Sequence, residues 1–428
     1  MKILFYNHTG TVSGAERVLL MILSRLDRDA FEPLLVCPEQ GPLQEMATEL
    51  GVGVETLAGL DARFTWRVGQ LVRYCKSFFG VIRQLRRRVV SLKPDLLHAN
   101  SVRAGLVATA ATLGLGTRVV WHLHDLLPRH PLSTCIRIFA VLSPRTSMIA
   151  VSQAVAANFR GYVPGMSKNR VRVILNAIDL DKFQRDPTAK RRVRQELRFR
   201  GADLVIGIVG QLTPRKGQLE LLRAFARVLT EVPQAVLLVV GAPLFNRDHE
   251  YLELLKKTAS ELGIANKVRL LGARDDVSSV MQTMDLLVVN STAEPFGLVI
   301  LEAMACRTPV LARAVDGIPE IIEHNENGWL ISSRDEAALA QSIVSLSRRP
   351  ELRERLAYRG RRHVAAHFAA VRYLADLQLF YRSRINLNAR ALPVDPATKH
   401  AGAQSLLEVR PTLVCRTLAD DGQTVTTN

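Results

Sequence analysis

The sequence is poor in the residues that build disulfide frameworks and zinc sites. Its five cysteines, at positions 37, 75, 135, 306 and 415, are odd in number and scattered, and no two of them form a C-x-x-C pair. Such spacing excludes a disulfide scaffold and a zinc ribbon as organising features of the fold, and it fits a reducing compartment.

Long apolar runs are also missing. No stretch approaches the ~20 consecutive apolar residues that a membrane-spanning helix needs. The opening residues Met1 to Tyr6 form an apolar run too short for a signal peptide and lead directly into polar residues from Asn7 onward. We therefore expect a cytoplasmic protein.

Acidic residues are scarce in the first half of the chain. The net charge is +17, and between Asp61 and Asp179 only Asp95 and Asp125 oppose 18 Lys and Arg. A field of one sign attracts a membrane surface, an anionic saccharide or nucleic acid. The aromatic and basic region 63–92, predicted to be helical, has the composition of a membrane-surface element, although a solvated helix beside a core stripe explains it equally well.

The pattern of strands and helices predicts an α/β protein. At 428 residues the chain is long enough for two full cores. Apolar strands alternate with helical segments, and glycine turns follow the strands that begin at Lys2 and Leu204, so we expect two doubly wound, Rossmann-like domains facing a cleft. The predicted domains span residues 1–185 and 186–370. A helix at 371–385 is expected to cross back to the first domain, and residues 386–428 are expected to form a disordered tail.

The most informative stretch is S-T-A-E-P-F-G-L-V-I-L-E-A-M-A-C-R-T-P, residues 291–309. It reads as the end of a strand, a turn, and a helix predicted over 296–305 and opened by Pro295. A helix start without bulky side chains presents unpaired N–H groups to phosphate or sugar oxygens. Glu294 stands just before this start and Glu302 about two turns along the helix.

The stretch and its continuation, T-P-V-L-A followed by D-G-I-P-E-I-I, resemble the retaining glycosyltransferases of family 4. The resemblance covers residues 1–384 and implies the GT-B fold. It implies that Glu294 lies beside the donor sugar, that Glu302 holds the ribose, and that the backbone at Phe296, Gly297 and Leu298 meets the sugar and diphosphate. Taken alone, the spacing of the two Glu favours a surface helix with solvated side chains.

A second glycine turn, Q-L-T-P-R-K-G, carries two cations that could neutralise a leaving diphosphate. Lys216 matches the lysine of the family pattern. Gln211 stands where the family commonly has an arginine, and Arg215 is the candidate to supply the missing charge. Two solvated cations on a surface turn would be the alternative interpretation.

The first domain contributes polar residues that end its predicted strands. The segment S-G-A-E-R-V-L resembles the opening of the family, in which the glycine turn, here with Gly14, approaches the diphosphate and the acceptor. Asn100 and the H-L-H-D segment end two further strands. The resemblance implies a histidine in contact with donor and acceptor, for which His124 is the first choice and His122 the second.

Two further positions depart from the family pattern, with Ala177 and Arg307 standing where glycine is usual. With those exceptions, the resemblance implies a retaining, front-face hexosyltransferase with catalytic His124, Glu294 and Lys216. We expect no metal and no cofactor, because no D-x-D ends a strand in the expected cleft. The expected donor is a UDP-sugar.

The expected acceptor is lipid-linked or an anionic saccharide, in cell-surface glycan or polysaccharide biosynthesis. From the positive charge we expect the enzyme to associate with the inner face of the cell membrane. An epimerase or phosphorylase on the same fold would share the phosphate site. A nucleic-acid-binding protein would explain the charge, but no helix-turn-helix, RNP-like or zinc pattern accompanies it.

Overall fold

The computed structural model describes residues 1–39, 41–60, 68–161, 170–243 and 246–385. Phe64 and Trp66 of the basic region and the expected tail at 386–428 lie outside the described residues. The described residues form two parallel sheets with helices on both sides.

The first sheet lies in the first domain and has seven strands: β1 (Lys2–Tyr6), β2 (Glu32–Pro38), β3 (Gly53–Leu57), β4 (Leu96–Ala99), β5 (Arg118–Leu123), β6 (Thr146–Ala150) and β7 (Val171–Val173). Its helices are α1 (Gly14–Arg25), α2 (Leu43–Glu49), α3 (Val68–Leu92), α4 (Val102–Ala111), α5 (Pro131–Leu142) and α6 (Gln153–Arg160). The strand order is β3-β2-β1-β4-β5-β6-β7, and every pair is parallel.

The second sheet has six strands: β8 (Leu204–Val209), β9 (Ala235–Val240), β10 (Val268–Gly272), β11 (Leu286–Val289), β12 (Val310–Arg313) and β13 (Trp329–Ile331). The remaining helices are α7 (Pro187–Glu196), α8 (Gln218–Glu231), α9 (Asn246–Glu261), α10 (Val277–Thr283), α11 (Leu298–Ala305), α12 (Glu336–Ser347), α13 (Pro350–His367) and α14 (Ala370–Ile385). The order is β10-β9-β8-β11-β12-β13, again parallel.

The strand order reverses between β1 and β4 in the first sheet and between β8 and β11 in the second. Ligands of doubly wound sheets bind outside the carboxyl ends of the strands at such a switch point. The prediction of two doubly wound domains is therefore confirmed, and the polar residues that end β1, β4, β8 and β11 lie where such a fold binds its ligands.

The last helix, α14, packs against the first sheet. Its apolar side chains share a core with Ile3 and Phe5 of β1, and Phe380 and Tyr381 are almost fully buried there. Burying side chains of this size contributes about 1.5–3 kcal/mol each. The Tyr381 hydroxyl lies 2.7 Å from Nδ1 of His98 in β4. The chain thus ends its described part on the first domain.

The helix after the central turn begins later than the sequence predicts. It starts at Leu298 and not at Phe296, because Gly297 has φ 108°, which no residue inside a right-handed helix can adopt. Pro295 therefore lies ahead of the helix and does not occupy its first turn. Glycine is suited to this position because it has no Cβ to clash at positive φ.

The two departures from glycine differ in their backbone. Ala177 is buried and is absent from the residues with positive φ, so a Cβ fits there. Arg307 has φ 59°, a left-handed conformation that costs a non-glycine residue about 1 kcal/mol or more. Its guanidinium lies 5.7 Å from the ring centroid of Tyr358, a contact that offsets part of this strain.

Candidate active site at the domain interface

A lysine–glutamate pair lies at the carboxyl ends of β8 and β11. Nζ of Lys216 is 2.6 Å from Oε2 of Glu294, and both side chains are largely buried, 14% and 9% exposed. The Ser291 hydroxyl donates to the same carboxylate oxygen at 2.9 Å. Burial strengthens the attraction within the pair and limits how far either group can move.

The loop that carries Glu294 is held by its backbone. The Glu294 N–H donates to Oδ2 of Asp316 at 2.8 Å, and the Gly317 N–H donates to the Glu294 carbonyl at 3.1 Å. Arg215 donates through Nη1 to the carbonyl of Ala293 at 2.9 Å. The guanidinium of Arg215 therefore fixes this loop.

Helix α11 brings Glu302 toward the first domain. The side chain of Phe296, ahead of the helix, is buried against Phe368, so only the backbone of the turn remains to meet a ligand. Burial raises the pKa of the Glu302 carboxyl, while Arg17 and Lys216 lower it. Arg17 lies on α1 of the first domain, and its Nη1 is 3.8 Å from Oε1 of Glu302.

On the first domain, amide groups connect the ends of three elements. His124 Nε2 lies 3.1 Å from Oδ1 of Asn100. The Asn100 amide donates to Oδ1 of Asn7 at 3.0 Å, and the Asn7 amide donates to Oε1 of Glu16 at 3.2 Å. Because these donations leave only the Asn100 oxygen for the imidazole, Nε2 of His124 is the protonated nitrogen and Nδ1 keeps its lone pair.

Three histidines form a cluster of contacting rings inside the first domain. Ring centroids are 5.2 Å apart for His98 and His122, and 3.9 Å apart for His122 and His124. His98 and His122 are fully buried, and neither ring nitrogen of His122 has a hydrogen-bond partner among the described residues. Burial lowers the pKa of His98 and of His124 to about 3, and it lowers the pKa of His122 well below its ordinary value.

The two candidate histidines are therefore placed differently. His122 is fully buried and supports the His124 ring from behind, whereas His124 is only partly buried at the end of β5. Asp125, the next residue, experiences the charges of Arg215 and Glu294 in the second domain. Of the two, only His124 has exposed surface, and it therefore stays the first choice for a ligand contact.

The domains meet through backbone and side chain at the same place. Ser152 donates to the carbonyl of Pro295 at 2.6 Å. The carboxylate of Glu320 accepts from the N–H groups of Gln153 and Ala154, at 2.7 and 2.8 Å, and so caps the start of α6 from the other domain. Leu298 lies beside Gly14, where an added Cβ would be 3.5 Å from its Cδ1. These contacts bring the predicted residues of both domains together.

Sequence reasoning missed several residues of this arrangement: Asn7, Glu16, Arg17, Ser152, Asn290, Ser291, Arg313, Asp316 and Glu320. Asn7 and Asn290 could have been found, because each follows an apolar strand directly, as Asn100 does. Arg17 and Glu320 gave no signal, since their partners belong to the opposite domain.

Within the ranges that the structure describes, no group of His, Cys, Asp and Glu is arranged to hold a metal ion. None of the described helices has the length and apolarity that crossing a membrane requires.

Comparisons with protein families match both halves of the chain. Residues 189–363 match the model of the group 1 glycosyl transferases, and residues 12–182 match that of glycosyltransferase family 4. The chain is 33% identical to a D-inositol 3-phosphate glycosyltransferase of Rhodococcus jostii over 349 residues, covering 77% of this chain and 75% of the relative. It is 26% identical to the putative glycosyltransferase EpsD of Bacillus subtilis, covering 73% and 82%.

Solved structures agree with this. Anabaena Alr3699/HepE in complex with UDP-glucose superimposes with a TM-score of 0.77 at 28% identity, covering 90% of this chain and all of that one. Sucrose-phosphate synthase of Thermosynechococcus elongatus has the same fold, with a TM-score of 0.74 at 20% identity. Together with the two doubly wound sheets, these likenesses establish that the chain belongs to the group 1 glycosyltransferases, the GT-B enzymes of family 4 that move a sugar from a nucleotide sugar.

Proposed function

We propose that the protein is a retaining glycosyltransferase that takes its sugar from a UDP-sugar and delivers it to a lipid-linked or anionic saccharide acceptor. The observation that carries the proposal is the buried pair of Lys216 and Glu294, seated at the start of α11 with Glu302 on the same helix. It offers a cation for a diphosphate and a carboxylate for a sugar within one small volume.

The residues proposed to bind the donor act mainly through their charges. Lys216 neutralises the charge that develops on the departing diphosphate, which is where a fixed cation accelerates a transfer reaction most. The N–H groups of Gly297 and Leu298, which have no partner within α11 because they stand at its start, add donors. Glu302 accepts hydrogen bonds from the ribose hydroxyls, and Arg17, whose Nη1 lies 3.8 Å from Oε1 of Glu302, lowers the pKa of this carboxyl against the larger effect of its burial.

A UDP-sugar is the donor best supported. The Anabaena protein, 28% identical over nine-tenths of this chain, was solved in complex with UDP and with UDP-glucose. Arg215 and the Gln211 turn supply the remaining polar groups near the diphosphate. The proposed reaction needs no cofactor, because the nucleoside diphosphate of the donor is already a good leaving group.

The residues proposed to bind the acceptor act mainly through hydrogen bonds. His124 is neutral at physiological pH, because burial holds its pKa at about 3, and Asn100 fixes its protonated nitrogen. A neutral imidazole can orient sugar hydroxyls without repelling Lys216. Departure and attack on the same face of the sugar preserve the anomeric configuration, with Glu294 placed beside the sugar to stabilise the positive charge that develops on it.

The cationic first domain suits an acceptor held at an anionic membrane on the cytoplasmic side. Lys76, Phe79, Arg83 and Arg87 recur at helical spacing on the exposed side of α3, and we call these four residues the α3 surface. Phe79 is 71% exposed. Such a cationic and aromatic face binds anionic headgroups and enters the interface with its ring.

Two neighbouring arginines of α3, Arg86 and Arg88, form contacts within the first domain. Arg86 donates to the carbonyls of Ala111 and Leu113 at the end of α4, at 3.0 and 2.7 Å, and Arg88 pairs with Glu55 at 2.9 Å. Because these contacts stabilise the fold, Arg86 and Arg88 are not counted among the residues of the α3 surface.

A screen of nucleotide sugars by thermal shift, followed by NMR of the product, tests the proposal. We expect UDP-sugars to raise the melting temperature most, and the product to keep the anomeric configuration of the donor. An inverted product would contradict retention. Turnover with water or phosphate as the sole acceptor would instead favour a phosphorylase or epimerase on this fold.

A further inference from the structure

An arginine is buried beneath the turn that carries Lys216. Arg313 ends β12 and is only 4% exposed. Its Nε donates to Oδ1 of Asn290, and its Nη2 donates to the carbonyl of Arg334 at 3.2 Å. Burying a guanidinium is costly, and a well-packed apolar residue is often as stable or more so. The cost suggests that this arginine serves a purpose beyond stability.

Asn290 transmits the position of Arg313 to the turn. Because Oδ1 of Asn290 accepts from the guanidinium, its amide nitrogen points the other way and donates to the Gly217 carbonyl at 2.8 Å. A Cβ on Gly217 would lie 2.2 Å from the Asn290 carbonyl oxygen, and Gly217 has φ 72°. The turn is thus seated directly on Asn290, without room to shift toward it.

Gly217 is joined to Lys216 by one peptide bond, and the Gly217 N–H closes the short turn by donating to the Pro214 carbonyl at 3.1 Å. The Thr292 N–H donates to the Arg215 carbonyl at 2.9 Å and joins this turn to the Glu294 loop. Any displacement of the Gly217 carbonyl therefore moves the backbone from which Lys216 reaches Glu294.

We propose that Arg313 and Asn290 are positioning residues that hold Lys216 at the diphosphate, acting through the Gly217 carbonyl. The inference rests on the proposed role of Lys216 in binding the diphosphate. It adds that the geometry of the lysine is set by a buried series of hydrogen bonds, which runs from Arg313 on β12 through Asn290 after β11 to Gly217 in the turn after β8. Catalytic groups need such support because errors of about 1 Å in their placement reduce rates strongly.

Two substitutions interrupt this series of hydrogen bonds at different points. Asn290→Asp keeps an acceptor for Arg313 but replaces the N–H donor to Gly217 by an oxygen that repels the carbonyl. Arg313→Lys keeps a positive charge but loses the planar fork that reaches Asn290 and the Arg334 carbonyl together. We expect each variant to bind UDP about tenfold more weakly in titration calorimetry, comparable to the loss of one hydrogen bond to a charged group.

A double-mutant cycle separates positioning from general damage. If Arg313 acts through Lys216, Arg313→Lys will weaken UDP binding in the natural protein but change it less than twofold in a Lys216→Ala background. The same is expected of Asn290→Asp. Equal losses in both backgrounds would overturn the inference, because the two residues would then be acting independently of the lysine.

Arg353→Lys is the matched control. Arg353 is a partly buried arginine of the same domain that donates to the carbonyls of Leu346 and Ser347, at 2.5 and 2.6 Å. We expect this change to lower the melting temperature and to leave UDP affinity within twofold. Affinity losses as large as those of Arg313→Lys would show that any buried arginine of the domain matters equally, and would overturn the inference.

The outcomes also separate this inference from the proposed function. Absence of UDP binding by the natural protein would contradict the proposed donor. Unchanged binding by Lys216→Ala would contradict the role of the lysine and remove the basis of the inference. Weakened binding by Lys216→Ala with unchanged binding by Asn290→Asp and Arg313→Lys would contradict the inference alone. If Arg313→Lys fails to fold, Asn290→Asp decides the question by itself.

Discussion

The two domains use the same parallel-sheet architecture and place their charges differently. In the first domain the positive charge lies on the outside, on α3 and its neighbours, while the three clustered histidines inside are neutral. In the second domain an ion pair, Lys216–Glu294, is largely buried at the candidate site. Buried charges survive only where a partner compensates their desolvation, and the second domain provides that partner.

This contrast suggests a division of labour. A site built from a paired lysine and glutamate suits a charged leaving group, whereas a site built from amides and a neutral imidazole suits sugar hydroxyls. The contact between Arg17 and Glu302 connects the two, because it places a first-domain cation beside a second-domain carboxylate. The following predictions test how sharp this division is.

The largest effect is expected from Lys216→Ala. Removing a fixed cation from a developing negative charge costs roughly 100-fold in kcat, by analogy with the loss of one oxyanion donor. Steady-state kinetics with the donor that the screen identifies will measure it. The donor KM should change much less than kcat; a change confined to KM would mean that the charge binds ground state and transition state equally.

Glu302→Ala should weaken donor binding tenfold or more. A hydrogen bond to a charged acceptor contributes roughly 1.5–3 kcal/mol, and here the acceptor would meet the ribose. Binding of UDP and of uracil, measured by calorimetry, provides the comparison, since uracil has no ribose. Unchanged UDP affinity in a folded variant would contradict the assignment.

The α3 surface should bind vesicles that contain anionic lipid and not neutral ones. Each cation near the surface contributes about 1 kcal/mol, so replacing Arg83 and Arg87 by Ser should weaken sedimentation with vesicles about tenfold or more. Added salt should reduce the binding further. The exposed pair Arg191 and Arg192 on α7, replaced by Ser, is the matched control. Equal binding to neutral vesicles would point to an anionic soluble saccharide as the partner of this charge.

The cluster of His98, His122 and His124 should make the first domain sensitive to acid. Burial lowers the pKa values of these histidines, so below pH ~6.5 the unfolded chain binds protons that the folded chain does not bind. The free energy of unfolding therefore decreases as the pH is lowered below ~6.5. His122→Phe should remove one such proton and make the dependence of the free energy of unfolding on pH shallower below pH ~6.5. Urea unfolding across this range will measure the slope, and His249→Asn, at an exposed position, should leave it unchanged.

The smallest effect is expected at Arg307. Because its φ of 59° suits glycine, Arg307→Gly should raise the free energy of unfolding by up to about 1 kcal/mol, less the lost contact with Tyr358. Thermal unfolding will detect the change. A decrease would show that the contact between Arg307 and the Tyr358 ring outweighs the backbone strain.

Much of the architecture could be predicted from the sequence, because apolar strands such as Leu286–Val289 carry a strong local signal. Pro295 shows the limit. Its preference for a helix start is real, but the left-handed conformation of Gly297 delays the helix to Leu298. The preference of one residue was overridden by the shape of the turn, which nothing in the local pattern reveals.

The candidate site shows the same limit at longer range. Glu294, Glu302 and Lys216 could be selected because each stands in a motif, and strand periodicity put His122 and His124 on the same side of β5. Only burial distinguished them, since His122 is enclosed by His98 and His124 while His124 meets Asn100. Burial depends on what packs against a strand, and this is not encoded next to it in the chain.

The sequence by itself therefore determined the two parallel sheets, the glycine turns that end their strands and the excess of cations in the first half, since each follows from composition or short-range periodicity. The tertiary structure decided which charges meet. Arg17 and Glu302 are 285 residues apart in the numbering and only 3.8 Å apart in space, and Arg313 reaches Lys216 through Asn290 and Gly217. Such contacts arise when separate elements pack together, because the energy of an ion pair or a hydrogen bond depends on distance in space and not on distance along the chain.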